Sequence, residues 1–212
     1  MEWLESRGWV DYPTAVRFME RRVEAIAAGR AQEAVWLLEH PPIYTCGTSA
    51  REDELLDGRF PVYRTGRGGR ITYHGPGQRV GYVMLDLRRR GADVRLFVGR
   101  VEEWVIRALA RLGVEARRSP GKIGIWVDGG RGGEAKVGAI GIRVRRWVSF
   151  HGFALNVDPD LSHFAGIVPC GLAGSEVTSL RKLGVAATMP EVDAALRLTF
   201  AKAFPETDRD TV

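Results

Sequence analysis

Between Ile123 and Val157 the chain carries three β-forming runs separated by two turn signals, and this pattern constrains the fold more than any other stretch. The runs cover 123–127, 136–144 and 147–157. Asp128-Gly-Gly-Arg-Gly-Gly-Glu134 is a glycine-rich turn between the first two, and Arg145-Arg146 divides the second from the third. Connections this short join antiparallel neighbours, so the stretch reads as a three-stranded meander. Further strand candidates lie at 34–39, 62–65 and 81–86, the first stopped by His40-Pro-Pro42. The helical patterns are separate from the strands. In 13–28, Val16, Met19, Val23 and Ile26 share a face and Pro13 suits the first turn. Residues 94–112 repeat apolar positions at helical spacing up to Gly113, and 190–204 does so through Val192, Ala195, Leu196 and Phe200. Hairpins mixed with separate helices predict an α+β fold. We expect a single domain over residues 1–212, with a mostly antiparallel sheet flanked by helices and a frayed tail at 205–212.

Chemistry concentrates in three places. The segment Arg67-Gly-Gly-Arg-Ile-Thr-Tyr-His-Gly-Pro-Gly-Gln78 reads as a loop rich in backbone donors. Its glycines let a ligand approach the main chain, and successive N–H groups can cradle an oxyanion, carboxylate or phosphate. It carries neither a Walker Gly-Lys-Ser/Thr nor a dinucleotide fingerprint. Cys170 sits between Pro169 and Gly171, which fix and expose the backbone around it. No His, Asp or Glu lies within a few residues of it, so a neighbour that takes or balances its proton must come from elsewhere. Lys136 is the candidate. Only four of the 31 basic residues are lysines, and this one sits among Val137, Ala139 and Ile140. As a neutral amine it would be a base for the thiol; as an ammonium it would stabilise the thiolate. His74 and His151 are candidates to line the same site, whereas His40 and His163 have no sequence neighbours that argue for function. Cys46 reads as a small buried apolar residue. Four histidines and two cysteines without zinc spacing predict no metal site.

The bulk properties narrow the setting. No apolar run is long enough to span a membrane, and the N-terminus lacks a basic stretch followed by an apolar one, so a soluble cytoplasmic protein is expected. The net charge of +5 admits a nucleic acid or an acidic protein partner. No Lys/Arg tract with interleaved aromatics supports nucleic acid.

Taken together and in order, several segments resemble the lipoyl(octanoyl) transferases. They are Leu38-Glu-His-Pro-Pro42, 67–78, Lys136-Val-Gly-Ala-Ile-Gly-Ile-Arg143, His151-Gly-Phe-Ala-Leu-Asn156, Pro169-Cys-Gly171 and Val177-Thr-Ser-Leu180. The resemblance implies the catalytic-domain fold shared with lipoate and biotin protein ligases. It implies a ping-pong reaction in which Cys170 takes an octanoyl group from octanoyl-acyl carrier protein. A lysine of a lipoyl domain or glycine-cleavage H protein then receives it. It assigns Lys136 to activation of the cysteine. It assigns substrate contact to Arg67, Gly68, Gly69, Arg70, Ile71, Thr72, Tyr73 and His74, to Ala139, Ile140 and Gly141, and to Gly152, Phe153 and Ala154. It implies that neither ATP nor another cofactor is needed; a monomer that engages no nucleic acid and no membrane is expected. The competing readings are an ATP-dependent ligase on the same fold and a non-catalytic module that binds acyl or lipoyl proteins.

Overall fold

The computed structural model describes residues 1–130, 133–168 and 176–205. Pro169, Cys170 and Gly171, the middle of the 128–134 turn and the tail beyond 205 lie outside the described residues. The strands are β1 (Glu2–Trp9), β2 (Ala34–Glu39), β3 (Ile43–Cys46), β4 (Val62–Arg64), β5 (Ile71–His74), β6 (Gln78–Met84), β7 (Arg117–Ser119), β8 (Lys122–Gly130), β9 (Gly133–Arg145), β10 (Val148–Asn156) and β11 (Glu176–Val177). The helices are α1 (Tyr12–Ala27), α2 (Val94–Arg111) and α3 (Met189–Ala203).

The main sheet runs β1-β2-β6-β10-β9-β8-β7, with β11 added beside β9. Pairing is antiparallel except at β1–β2 and β11–β9. The predicted meander is its centre, β8-β9-β10. The turn between β9 and β10 holds Arg146 at φ 50 and Trp147 at φ 63, both left-handed, which matches the right-handed twist of the two strands. A small sheet, β4-β3-β5, stands apart. The segment 67–78 is therefore not all loop: Ile71–His74 pairs antiparallel with β3. A strand this short, after three closely spaced glycines, gives little alternation to read.

Alternation along the strands divides the apolar side chains between two faces. Ala34, Trp36 and Leu38 of β2 join Ala15, Met19, Val23 and Ile26 of α1. Val35 and Leu37 join the larger core under α2 and α3. There Trp104 is fully buried, donates Nε1–H to the Leu196 carbonyl (2.8 Å) and meets Phe153 and Phe200 edge-on. The helices start where their caps place them. Asp11 accepts from Thr14 N, with Pro13 in the first turn of α1; Asp93 accepts from Leu96 N at α2; Thr188 and Glu191 close a capping box at α3. A buried ion pair, Arg79 on β6 with Asp193 on α3 (2.8 Å), ties α3 to the sheet. Tyr44, Ile71, Tyr73, Phe164 and Ile167 form a third core beneath the small sheet.

Candidate active site

A cavity of about 440 Å³, within the usual range for small-molecule sites, opens between the main sheet, the small sheet and the start of α2. Its floor follows from small residues placed opposite one another. Ala139 pairs with Ala154 and Gly141 with Gly152 across β9 and β10. The loop 66–70 closes over it by donating Gly68 N–H to the Ile142 carbonyl (2.9 Å). Gly141 is needed for that closure, because a Cβ there would lie 3.0 Å from both the Gly68 carbonyl and Arg67 Cδ. Val80, Ile123, Ile140 and Phe153 make much of the wall apolar.

Arg67, Gly68, Gly69, Arg70, Ile71, Thr72, His74, Lys136, Ala139, Ile140, Gly141, Gly152, Phe153 and Ala154 all line this cavity. Tyr73 does not, contrary to the expectation of substrate contact. The period of a strand turns its ring the other way from Thr72 and His74, into the third core, where its hydroxyl meets His163 Nδ1 (2.8 Å). His163, which had no partner in the sequence, belongs to that structural contact. Cys170 lies outside the described residues. Glu176 and Val177, which follow its segment, pair with Ala135 and Lys136.

Lys136 is held at the cavity by its surroundings. Its Nζ donates to the Ile123 carbonyl (3.1 Å) and stands 4.8 Å from the Trp126 ring centroid. The residue is only 7% exposed. Gly124, at φ 137, makes room for it: a Cβ there would come 2.7 Å from Lys136 Cε. Thr178 N donates to the Lys136 carbonyl (2.9 Å), so β11 and the residue after it fix this part of β9 along the edge opposite β8.

The charge at the roof is braced by neutral acceptors. Arg67 Nη2 donates to the Thr45 carbonyl (2.6 Å) and hydroxyl (2.7 Å), and Nη1 to the Gly68 carbonyl (3.0 Å). Arg70 is compensated by Glu54 (2.6 Å). Behind them is a set of uncharged aromatics that the sequence did not bring together. His40 Nδ1 lies 2.6 Å from the Val10 carbonyl and must donate to it, so Nε2 accepts the Tyr82 hydroxyl proton (2.6 Å). His74 is fixed in the same way. Gln78 Nε2 donates to Asn156 Oδ1 and the Tyr73 carbonyl, so its Oε1 accepts from His74 Nδ1 (2.7 Å) and leaves His74 Nε2 an acceptor. Burial pushes His40 down to about 4 and His151 to about 3. Burial, then His40 and Arg67, carries His74 well below the usual imidazole range. Burial raises Tyr12 to about 12 and carries Tyr82 well above the ordinary phenol value. At neutral pH these groups are polar but carry no charge.

His151 reaches this set by a local distortion. Strand parity would put it on the face opposite Phe150. Its φ of 58 breaks the alternation, and its ring stacks on Phe150 at 5.2 Å, with Nε2 3.3 Å from the Tyr12 hydroxyl. A left-handed conformation in a non-glycine residue costs about 1–2 kcal/mol. Tyr12, Tyr82, Ile123 and Ile142 also line the cavity and were not singled out in the sequence. Ile142 stood in the glycine-punctuated segment 136–143, which was the available hint for it; Tyr12 and Tyr82 carried none. Among the described residues, no group of three His, Cys, Asp or Glu side chains is placed to hold a metal ion.

The lipoyl protein ligase A/B catalytic domain family matches residues 11–201. The octanoyltransferase of Paramagnetospirillum magneticum is 63% identical over 205 residues, covering 96% of this chain and 97% of that relative. The octanoyltransferase of Sphingopyxis alaskensis is 65% identical over 198 residues, covering 93% and 91%. In fold, the chain is similar to the bi-partite lipoate protein ligase of Thermoplasma acidophilum, with a TM-score of 0.69 at 20% identity over 99% of this chain and 85% of that one. The chain belongs to the lipoyl protein ligase A/B catalytic domain family and, within it, to the octanoyltransferases.

Proposed function

We propose that this octanoyltransferase takes its acyl group from octanoyl-acyl carrier protein and holds it as a thioester on Cys170. It passes the group to the ε-amine of a lysine on a lipoyl domain or glycine-cleavage H protein, in the cytoplasm. Lys136 serves Cys170 as its proton partner. In the first half-reaction the thiol proton goes to Lys136 as sulfur attacks the donor carbonyl. The carrier's thiolate leaves and takes a proton back. In the second, the acceptor amine attacks the Cys170 thioester, the C–S bond breaks and the amine's proton passes to the departing thiolate. The acyl group arrives activated, so no nucleotide is consumed.

The observation that carries this reading is the β11–β9 pairing. It sets Val177, seven residues after Cys170, beside Lys136 at a largely apolar cavity. Arg67 to His74 (except Tyr73), Ala139 to Gly141 and Gly152 to Ala154 supply the substrate wall, and backbone N–H groups of the glycine-rich loop are available to a developing oxyanion. The net charge of +5 suits acidic carrier and acceptor domains. The T. acidophilum ligase structure includes an E2 lipoyl domain, which supports an acceptor of that type. The test is octanoyl transfer from octanoyl-acyl carrier protein to an isolated lipoyl domain without ATP. Wild type is expected to transfer, and Cys170→Ala and Lys136→Arg to fail, because arginine does not give up its proton. Turnover that requires ATP, or that survives in Cys170→Ala, would reject the scheme.

A further inference from the structure

The cavity has two unlike ends. Lys136 marks one. Ile142 lies six residues further along β9, about 17 Å away because Lys136 to Gly138 spans only the single β8 step from Trp126 to Ile125, and it pairs with His151. At that far end Tyr12, Tyr82 and His151 line the cavity together. We propose that these three side chains are the end wall of the acyl slot and set the longest chain the enzyme accepts. The inference rests on the reading of the cavity as the place where the octanoyl chain lies.

Three observations support it. The wall is fixed: His40 holds the Tyr82 hydroxyl, the capped first turn of α1 holds Tyr12, and Phe150 stacks on His151. It stands where parity alone would not put it, since the left-handed φ at His151 is what carries the imidazole to this face. It is also polar where the approach to it is not. His151 is 4% exposed and its Nδ1 has no hydrogen-bond partner among the described residues. Ala139, Ile140 and Ala154 line the way to it.

A chain that begins beside Lys136 and runs along β9 gains about fourfold in binding for each methylene buried on that apolar stretch. An eight-carbon acyl chain is about 10 Å long and comes level with Ile140, one rank before the Gly141–Gly152–Tyr82 row. Further methylenes meet hydroxyl and imidazole atoms that lose hydrogen-bonding capacity to hydrocarbon, so the gain stops there. Tyr12, Tyr82 and His151 thus act on chain length rather than on the chemical step.

The experiment compares acyl-enzyme formation from hexanoyl, octanoyl, decanoyl and dodecanoyl thioesters of acyl carrier protein. Wild type, His151→Asn, Tyr12→Phe and Tyr82→Phe are read by intact mass over time. Asparagine tolerates the left-handed φ and is shorter than histidine. His151→Asn is expected to raise the decanoyl-to-octanoyl rate ratio by about tenfold, near the worth of two methylenes. The phenylalanine variants keep the ring and raise that ratio less; they decide the matter if His151→Asn does not fold. An unchanged ratio in folded variants that still accept octanoyl overturns the wall. Wild type that accepts none of the thioesters instead rejects the carrier-to-Cys170 reading, and the wall falls with it.

Discussion

The two faces of the main sheet come from the same strands and are put to different uses. Under α2 and α3 the alternate residues are large and apolar, and Trp104, Phe153, Phe200 and Phe204 interlock around one buried indole hydrogen bond. On the side of α1, Ala15, Met19, Val23 and Ile26 pack on the strands beneath the helix, up to its first residue. Beyond Tyr12 the strands offer Ala139, Gly141, Gly152 and Ala154, and the space they leave is closed by a charged loop and neutral aromatics. One face supplies stability. The other gives some up through a strained His151, and at acid pH through three histidines that burial keeps uncharged. The site is made by omitting side chains at paired positions as much as by adding reactive ones.

Substitutions on the two faces should therefore separate activity from stability. The largest effect is expected at the cavity. Lys136→Ala should lower single-turnover acyl transfer by about 10²–10⁴-fold, the usual worth of a proton-transfer group, while its urea midpoint stays close to wild type. A loss of stability that matches the loss of rate would erase the distinction. On the opposite face, Trp104→Ala should cost about 3–5 kcal/mol in urea unfolding, with the remaining folded protein transferring at the normal rate. Asp193→Ala should cost a similar amount, about 3–5 kcal/mol, because it leaves the Arg79 guanidinium buried without its partner.

Smaller effects sharpen the contrast. Gly124→Ala places a methyl against Lys136 Cε and should slow transfer about tenfold, because a modest misplacement of a reacting group already costs that much. Normal transfer in that variant would mean that the position of Lys136 is not fixed by Gly124. The pH dependence of stability belongs to the polar side. His40, His74 and His151 all titrate below the ordinary 6.5 in the fold, so the unfolded chain takes up protons that the fold excludes. Their contribution is complete above pH 6.5 and is lost as pH falls toward 4, at up to about 1.4 kcal/mol per pH unit for each. Asp193, raised to about 6 by burial, opposes one of the three in the same window. Urea midpoints that do not change from pH 6.5 to 4.5 would contradict the buried, neutral histidines.

The sequence exposed most of this architecture where a periodic signal was long. The meander, α1, α2 and α3 were all readable because each repeats its pattern over several turns or strand pairs. Strands β1, β3, β5, β7 and β11 were not, being short, partly exposed or paired only through distant partners. The glycine-rich segments and Lys136 announced themselves by composition. Tyr73 did not reveal that it faces away, since its direction depends on where β5 starts. His40 looked solitary because its companions Tyr82 and His74 are brought to it only by the β2–β6 pairing and the small sheet. The displaced ring of His151 could not be read at all, because a left-handed φ outside glycine leaves no mark in the residue order.

The most direct measurement is the intact mass of the folded protein after incubation with octanoyl-acyl carrier protein alone, without ATP or acceptor. The account predicts a gain of one octanoyl group that hydroxylamine removes and that Cys170→Ala does not acquire. No adduct on folded wild type, or an adduct that persists in Cys170→Ala, would contradict it.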